Sequence, residues 1–215
     1  MNANTDASRL ADALYAIIVP IWPDQGPLLH YRNCFELLVA VILSAQCTDD
    51  QVNRVTPALF KAYPGPAELA AANPGAVESL VHSTGFFRNK AANIVATARL
   101  LMTDFGGEVP DSIDQLVRLP GVGRKTANLV VSACHGKPGI VVDTHVLRTA
   151  RRLGLAPTDD PIRSERMIAG SLPTYRWTQF SFALNRLGKH ICNARKPRCP
   201  DCPVAGLCPS AGAFS

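Results

Sequence analysis

The sequence has little that could form a sheet, cross a membrane or direct export. Only Gly139 to Val142 is β-branched and extended, a stretch too short to found a sheet. The longest near-continuous apolar run, Leu37 to Ala45, falls well short of the roughly 20 residues that span a bilayer. The opening MNANTDASRLADALYA carries Asp6 and Asp12 and no basic start ahead of an apolar block, so no signal peptide is expected and the expected compartment is the cytoplasm. Aromatic residues make up 7% and charged residues 18%, while 47% are hydrophobic, the profile of an ordinary globular chain rather than a disordered one. No fixed-period repeat or low-complexity tract breaks the 215 residues, enough for one large domain or two small ones. Acidic residues are scarce in the second half. Residues 118–215 hold 15 Lys and Arg against 5 Asp and Glu, whereas residues 1–117 hold 7 against 12. A one-sided basic half within a net charge of +5 is the footprint of a phosphate-rich partner.

What is present is helical periodicity, and the expected class is all-α. Residues 8–18 space Leu10, Leu14 and Ile17 for one face of a helix. Residues 35–46, FELLVAVILSAQ, are apolar on nearly all sides, which suits a helix buried in a domain. Thr48 with Gln51, and Ser112 with Gln115, read as capping boxes. Pro57 should kink the helix that Thr48 begins, or mark a new one. Further helices are expected at 66–72, 76–83, 88–105, 112–118, 124–135, 144–153, 161–171 and 174–190. The shift in composition at Gly136 to Gly139 marks a boundary between two lobes.

LPGVGRKTA, residues 119–127, joins two of these helices. Pro120 forbids continuation of the first, and Gly121 and Gly123 permit backbone angles that other residues avoid. The turn, Gly121–Val122–Gly123–Arg124, then presents backbone amides and a helix N-terminus suited to a DNA phosphate. Ala127, Val130, Val131 and Cys134 fall on the buried face of the second helix. Lys125 shares a polar face with Asn128 and Ser132, in the first turn, where a helix N-terminus disfavours the charged form of an amine. An uncharged amine there can attack a sugar C1′ and hold it as a Schiff base.

VVDTHVLRTARRLG, residues 141–154, opens another helix at Asp143, whose carboxylate can cap it and, fixed in place, act chemically. His145 can bond a phosphate or satisfy the local backbone. Near the C-terminus, Cys192, Cys199, Cys202 and Cys208 are spaced C-x6-C-x2-C-x5-C. Four thiolates can hold a [4Fe–4S] cluster or a tetrahedral zinc, and one compact run with a single C-x2-C suits wrapping a cubane better than the paired knuckles of zinc sites. Arg195, Lys196 and Arg198 make the loop between the first two cysteines basic, as if aimed at phosphates.

Taken together, LLVAVILSAQCTD, LPGVGRKTAN, VDTH and the cysteine run resemble the endonuclease III family of helix-hairpin-helix DNA glycosylase/AP lyases over nearly the whole chain. The resemblance implies a six-helix lobe at about 27–137, with the hairpin at about 112–135, and a [4Fe–4S] lobe made of 1–26 and 138–215. It implies a monomer acting on damaged double-stranded DNA, with Lys125 attacking C1′ of a flipped, oxidised pyrimidine nucleotide, Asp143 assisting, and β-elimination nicking the strand. It also gives Gln46 the role of filling the hole left by the flipped base. Phe86 stands where the family commonly has a leucine wedge, and an apolar wedge props an unstacked step open. A monofunctional mismatch glycosylase has another residue where Lys125 stands, and a non-catalytic DNA-binding module needs neither Lys125 nor Asp143.

Overall fold

The computed structural model describes residues 3–23 and 26–213, and no strand occurs among them. Their α-helices are α1 (Ala3–Ile18), α2 (Cys34–Leu43), α3 (Asp49–Ala62), α4 (Pro66–Ala70), α5 (Pro74–Val81), α6 (Phe87–Asp104), α7 (Ile113–Leu116), α8 (Arg124–His135), α9 (Thr144–Arg152), α10 (Pro161–Ser171) and α11 (Trp177–His190). They fall into two compact units, one of Pro27–Lys137 and one of Met1–Gly26 with Pro138–Ser215.

In the 27–137 unit α2 is the central post. Asn33 caps it by accepting from the Glu36 amide at 2.9 Å, and Glu36 reaches back to accept from the Arg32 amide at 2.8 Å. Glu36 is buried without strain because the Arg32 guanidinium also donates to it, at 2.9 and 2.5 Å. Every residue from Phe35 to Leu43 is buried, and α3, α6 and α8 pack around them. The apolar run therefore does what its all-round hydrophobicity implies.

The helix begun by Thr48 runs unbroken through Pro57 to Ala62, so no new helix starts there. Pro57 lies on the exposed side, where water can serve the carbonyl that loses its amide partner, while Val52, Val55, Leu59 and Phe60 bury the opposite side. Ser112 caps α7 through the Gln115 amide at 3.3 Å and bonds the Gln115 side chain at 3.0 Å.

In the other unit the buried face of α1 is Ala11, Leu14 and Ile18; Ile17 is 37% exposed. The stripe is one residue out of phase with the Leu10–Leu14–Ile17 reading because α10 and α11 both pack on α1 and select the face between them. Residues Gly139 to Val142 form no strand, and the Gly139 and Val141 amides donate to the Thr178 and Ser181 hydroxyls of α11 at 3.2 and 3.3 Å. Where α9 crosses α11, a Cβ on Gly188 would stand 2.7 Å from Thr149 Oγ1, 2.9 Å from His145 Cβ and 3.0 Å from the His145 carbonyl. Only glycine fits. Gly188→Ala is expected to destabilise the protein by about 1–3 kcal/mol through overpacking, read as a lower urea midpoint at unchanged slope.

Candidate functional site

The turn between α7 and α8 is gripped from two sides. Gly121 has φ +78°, and a Cβ there would meet Asn93 Nδ2 at 2.9 Å and Ile42 Cγ2 at 3.1 Å. The Pro120 carbonyl accepts from Thr97 Oγ1 at 2.9 Å. Val122 turns its side chain inward and is buried, so it can offer a partner only its backbone. Gly123 differs from the expectation: its φ of −91° and ψ of 176° are open to any residue, and a Cβ there meets nothing within 4 Å. Neither backbone strain nor packing demands glycine at 123, although glycine is among the residues favoured at the N-cap it occupies.

Gly123 is the N-cap of α8 and supplies no side-chain cap. A carboxylate or hydroxyl cap would occupy the amides that an anion could otherwise use. Arg124 and Lys125, the first two residues of α8, are both exposed. Asn128, assigned from its spacing to the same polar face, is buried and donates to the Arg124 carbonyl at 3.2 Å. The polar face of α8 is thus narrower than the sequence implies, and Lys125 lies at its open end.

Asp143 is the N-cap of α9. Its Oδ1 accepts from the His145 amide at 3.0 Å and the Val146 amide at 2.8 Å, and its Oδ2 accepts from Asn185 Nδ2 of α11 at 2.7 Å. Three donors fix the carboxylate in one orientation. Asn185 is a residue the sequence reading missed; nothing in a 42-residue separation links it to Asp143, and only the close crossing at Gly188 brings α11 near enough. His145 is half-buried, its Nδ1 3.3 Å from Arg148 Nη2, while Arg148 also bonds the carbonyls of Cys192 at 3.0 Å and Gly188 at 2.8 Å.

Among the described residues, two that are not glycine have positive φ: Gln46 at 52° and Phe86 at 49°. Both are exposed, Phe86 by 66%. Left-handed backbone is uncommon for such residues and bulky side chains there mark strain. Phe86 is the uncapped N-cap of α6, and Gln46 lies just beyond the end of α2. Both therefore project from turns that follow or precede well-packed helices.

Arg195 and Lys196 are exposed on the loop after α11. Arg198 is exposed too and also braces that loop, donating to the His190 carbonyl at 2.6 Å and lying 3.9 Å from Asp201. Cys192, Cys199, Cys202 and Cys208 are free thiols that line one cavity, with Leu153, Leu187 and Ile191 among its apolar walls. Burial foremost pushes the Cys202 and Cys208 thiols up, and the neighbouring cysteines add to it. Arg152 is buried beside them, with Nη1 3.4 Å from Cys192 Sγ and 2.8 Å from the Asn193 carbonyl, and Nη2 2.9 Å from the Ala194 carbonyl. Among the described residues no three candidate ligands converge tightly enough for a single ion. Four sulfurs around a cavity, with one buried cation, fit a multi-atom anionic cluster better than one tetrahedral ion.

The family described as HhH-GPD superfamily base excision DNA repair protein matches residues 39–173, more than half of the chain. Endonuclease III of Synechocystis sp. is 48% identical over 204 residues, covering 94% of this chain and 93% of that protein. This chain belongs to the endonuclease III family. Endonuclease III of Bacillus subtilis is 45% identical, with 87% and 86% covered. A solved structure of a trapped endonuclease III–DNA covalent intermediate superposes with a TM-score of 0.89 at 39% identity, over 99% of both chains. The endonuclease III fold thus carries this chain's hairpin, its Asp143 cap and its cysteine loop.

The Asn185 bond yields a test. Asn185→Ala removes one of three donors to Asp143 and is expected to lower turnover on damaged duplex by roughly tenfold, the order of one charge-assisted hydrogen bond. Single-turnover rates measure it, with DNA affinity expected to stay within about twofold because an internal bond is lost and no phosphate contact.

Proposed function

We propose that this protein is a base-excision repair enzyme that removes oxidised pyrimidines from duplex DNA and nicks the strand 3′ to the resulting abasic site. The observation that carries the reading is Lys125, exposed in the first turn of a helix whose N-terminus has no side-chain cap. That places an amine beside a backbone cradle for phosphate.

The chemistry follows from an amine at a sugar. Gly121, Val122, Gly123 and Arg124 bind a backbone phosphate through main-chain amides and the helix terminus. Extruding the nucleotide costs a few kcal/mol and is easiest for a damaged, poorly paired base. Phe86 wedges the opened step, and Gln46 fills the space the base vacates. The Lys125 amine, deprotonated, attacks C1′; the bond from C1′ to the base breaks and the base leaves with the electron pair, taking up a proton. Ring opening gives the Schiff base, loss of a C2′ proton follows, and its electrons expel the 3′ phosphate. Water then releases the lysine.

Asp143, its orientation set by the His145 and Val146 amides and Asn185, offsets positive character developing on the sugar. His145, Arg195, Lys196 and Arg198 contribute phosphate contacts. Cys192, Cys199, Cys202 and Cys208 hold a [4Fe–4S] cluster, which when bound supplies rigidity to the basic loop rather than chemistry at C1′. The partner is damaged double-stranded DNA, met by a monomer in the cytoplasm; among the described residues no helix is long and apolar enough to cross a membrane.

Borohydride added during reaction with a duplex carrying an oxidised pyrimidine or an abasic site reduces the Schiff base to a stable cross-link. The wild-type protein is expected to give this adduct and Lys125→Gln none; an adduct that persists in the variant overturns the assignment of the nucleophile. For the cofactor, freshly purified protein is expected to contain about four iron atoms and matching sulfide per chain, with broad visible absorbance that is lost in Cys202→Ser. Stoichiometric zinc without iron would refute the cluster.

A further inference from the structure

Three of the seven cysteines lie outside the run of four, and the chemistry above uses none of them. Two, Cys34 and Cys134, are 100 residues apart in sequence, yet α2 and α8, which carry them, pack against each other. The direction of that packing is fixed at both ends. Ile42, near the close of α2, lies 3.1 Å from where a Cβ on Gly121 would stand, just before α8 begins. Cys34, the first residue of α2, lines one cavity together with His135, the last residue of α8. The two helices are therefore antiparallel. Cys34 precedes Ile42 by eight residues and Cys134 follows the start of α8 by ten, about 12 and 15 Å at the rise of a helix. Both sulfurs thus come to the same level within one turn.

Both are free thiols and half-buried. Burial foremost pushes the Cys134 thiol up, and the Cys34 side chain, as a hydrogen-bond partner, comes next. Each sits at a helix end that is closed rather than frayed. Asn33 caps α2 by accepting from the Glu36 amide at 2.9 Å, and left-handed Gly136 ends α8, its amide donating to the Val131 carbonyl. Cys47 lies past the opposite end of α2, away from the pair.

We propose that Cys34 and Cys134 are a redox site: peroxide joins them in a reversible disulfide that staples the first turn of α2 to the last turn of α8. Cys34, as thiolate, attacks one peroxide oxygen; the O–O bond breaks, hydroxide leaves and takes up a proton as water, and Cys34 becomes a sulfenic acid. The Cys134 sulfur then attacks Cys34, the S–O bond breaks, and the departing hydroxide takes the Cys134 proton as a second water. The two sulfurs give up two electrons to the peroxide, and a dithiol returns them. The bond closes a loop of about 100 residues, a large restraint on the unfolded chain. Lys125 stands at the other end of α8, so the staple leaves that amine free.

Peptide mapping tests the site. The purified protein is treated with hydrogen peroxide at a dose that leaves its visible absorbance unchanged, remaining thiols are alkylated, and tryptic peptides are read by mass spectrometry. The wild type is expected to yield peptide 33–54 joined to 126–148, separable by dithiothreitol. Cys47→Ser, in which Cys34 is the one cysteine left in the first peptide, is expected to keep the link. Cys34→Ser and Cys134→Ser are each expected to lack it, and either decides if the other does not fold. The oxidised wild type is expected to unfold about 5 °C above the reduced protein, a gain that dithiothreitol erases and Cys34→Ser never shows. Thiols that both stay open to alkylation, sulfinic acid on each, or a link from either to another cysteine overturns the proposal, as does a linked protein that unfolds no higher. None of these readouts depends on activity toward DNA.

Discussion

The burial of α2 on all sides is the constraint on which the 27–137 unit depends. Its residues from Phe35 to Leu43 leave water together, at roughly 1.5–3 kcal/mol for each large apolar side chain. That burial fixes three things at once. It sets the exit vector of the chain at Ser44, and so the place of Gln46. It gives Ile42 as one jaw of the grip on Gly121, against Asn93 and Thr97 of α6 as the other. It also seats α8, whose first turn carries Lys125. The 121–124 turn, Gln46 and Lys125 are therefore spaced by one packed helix rather than by loops, the arrangement that fixes a geometry best.

The second unit solves a related problem with a different device. Asp143 is held by three donors, where a lone N-cap would leave one carboxylate oxygen to water. The glycine at 188 lets α9 and α11 approach until Asn185 can reach that oxygen. The same crossing aligns Arg148 with the carbonyls of Gly188 and Cys192, and Arg152 with the start of the cysteine loop. A small residue at one crossing thus ties the acid to the loop that carries Arg195 and Lys196.

Much of this was legible in the sequence because it is local. Periodicity located the helices, and the hairpin, the Asp143 cap and the cysteine spacing are short motifs whose chemistry can be read from neighbours. What escaped is set by packing at a distance. Ile17 and Ile18 look equally apolar, and only the two helices that flank α1 choose Ile18 for the core. Asn128 reads as polar surface but is buried, because its side chain finds a carbonyl one turn back. Gly121 and Gly123 look alike in LPGVG, yet one is demanded by sterics and the other by nothing inside the protein. Asn185 and Lys90 carry no motif at all; their partners come from other segments of the fold or from a turn that the sequence does not foretell.

The left-handed backbone at Phe86 lies beside a buried lysine, Lys90, whose ammonium holds the turn before it. Each such residue stores on the order of 1–3 kcal/mol of strain, and strain persists only where the surroundings over-determine it. At Phe86 the surroundings do so through two bonds, from the buried Lys90 ammonium to the Thr84 carbonyl and from the Gln51 side chain to Ser83, both in the turn that leads to Phe86. The cost of the left-handed shape then falls on folding, where the packing around α2 offsets it.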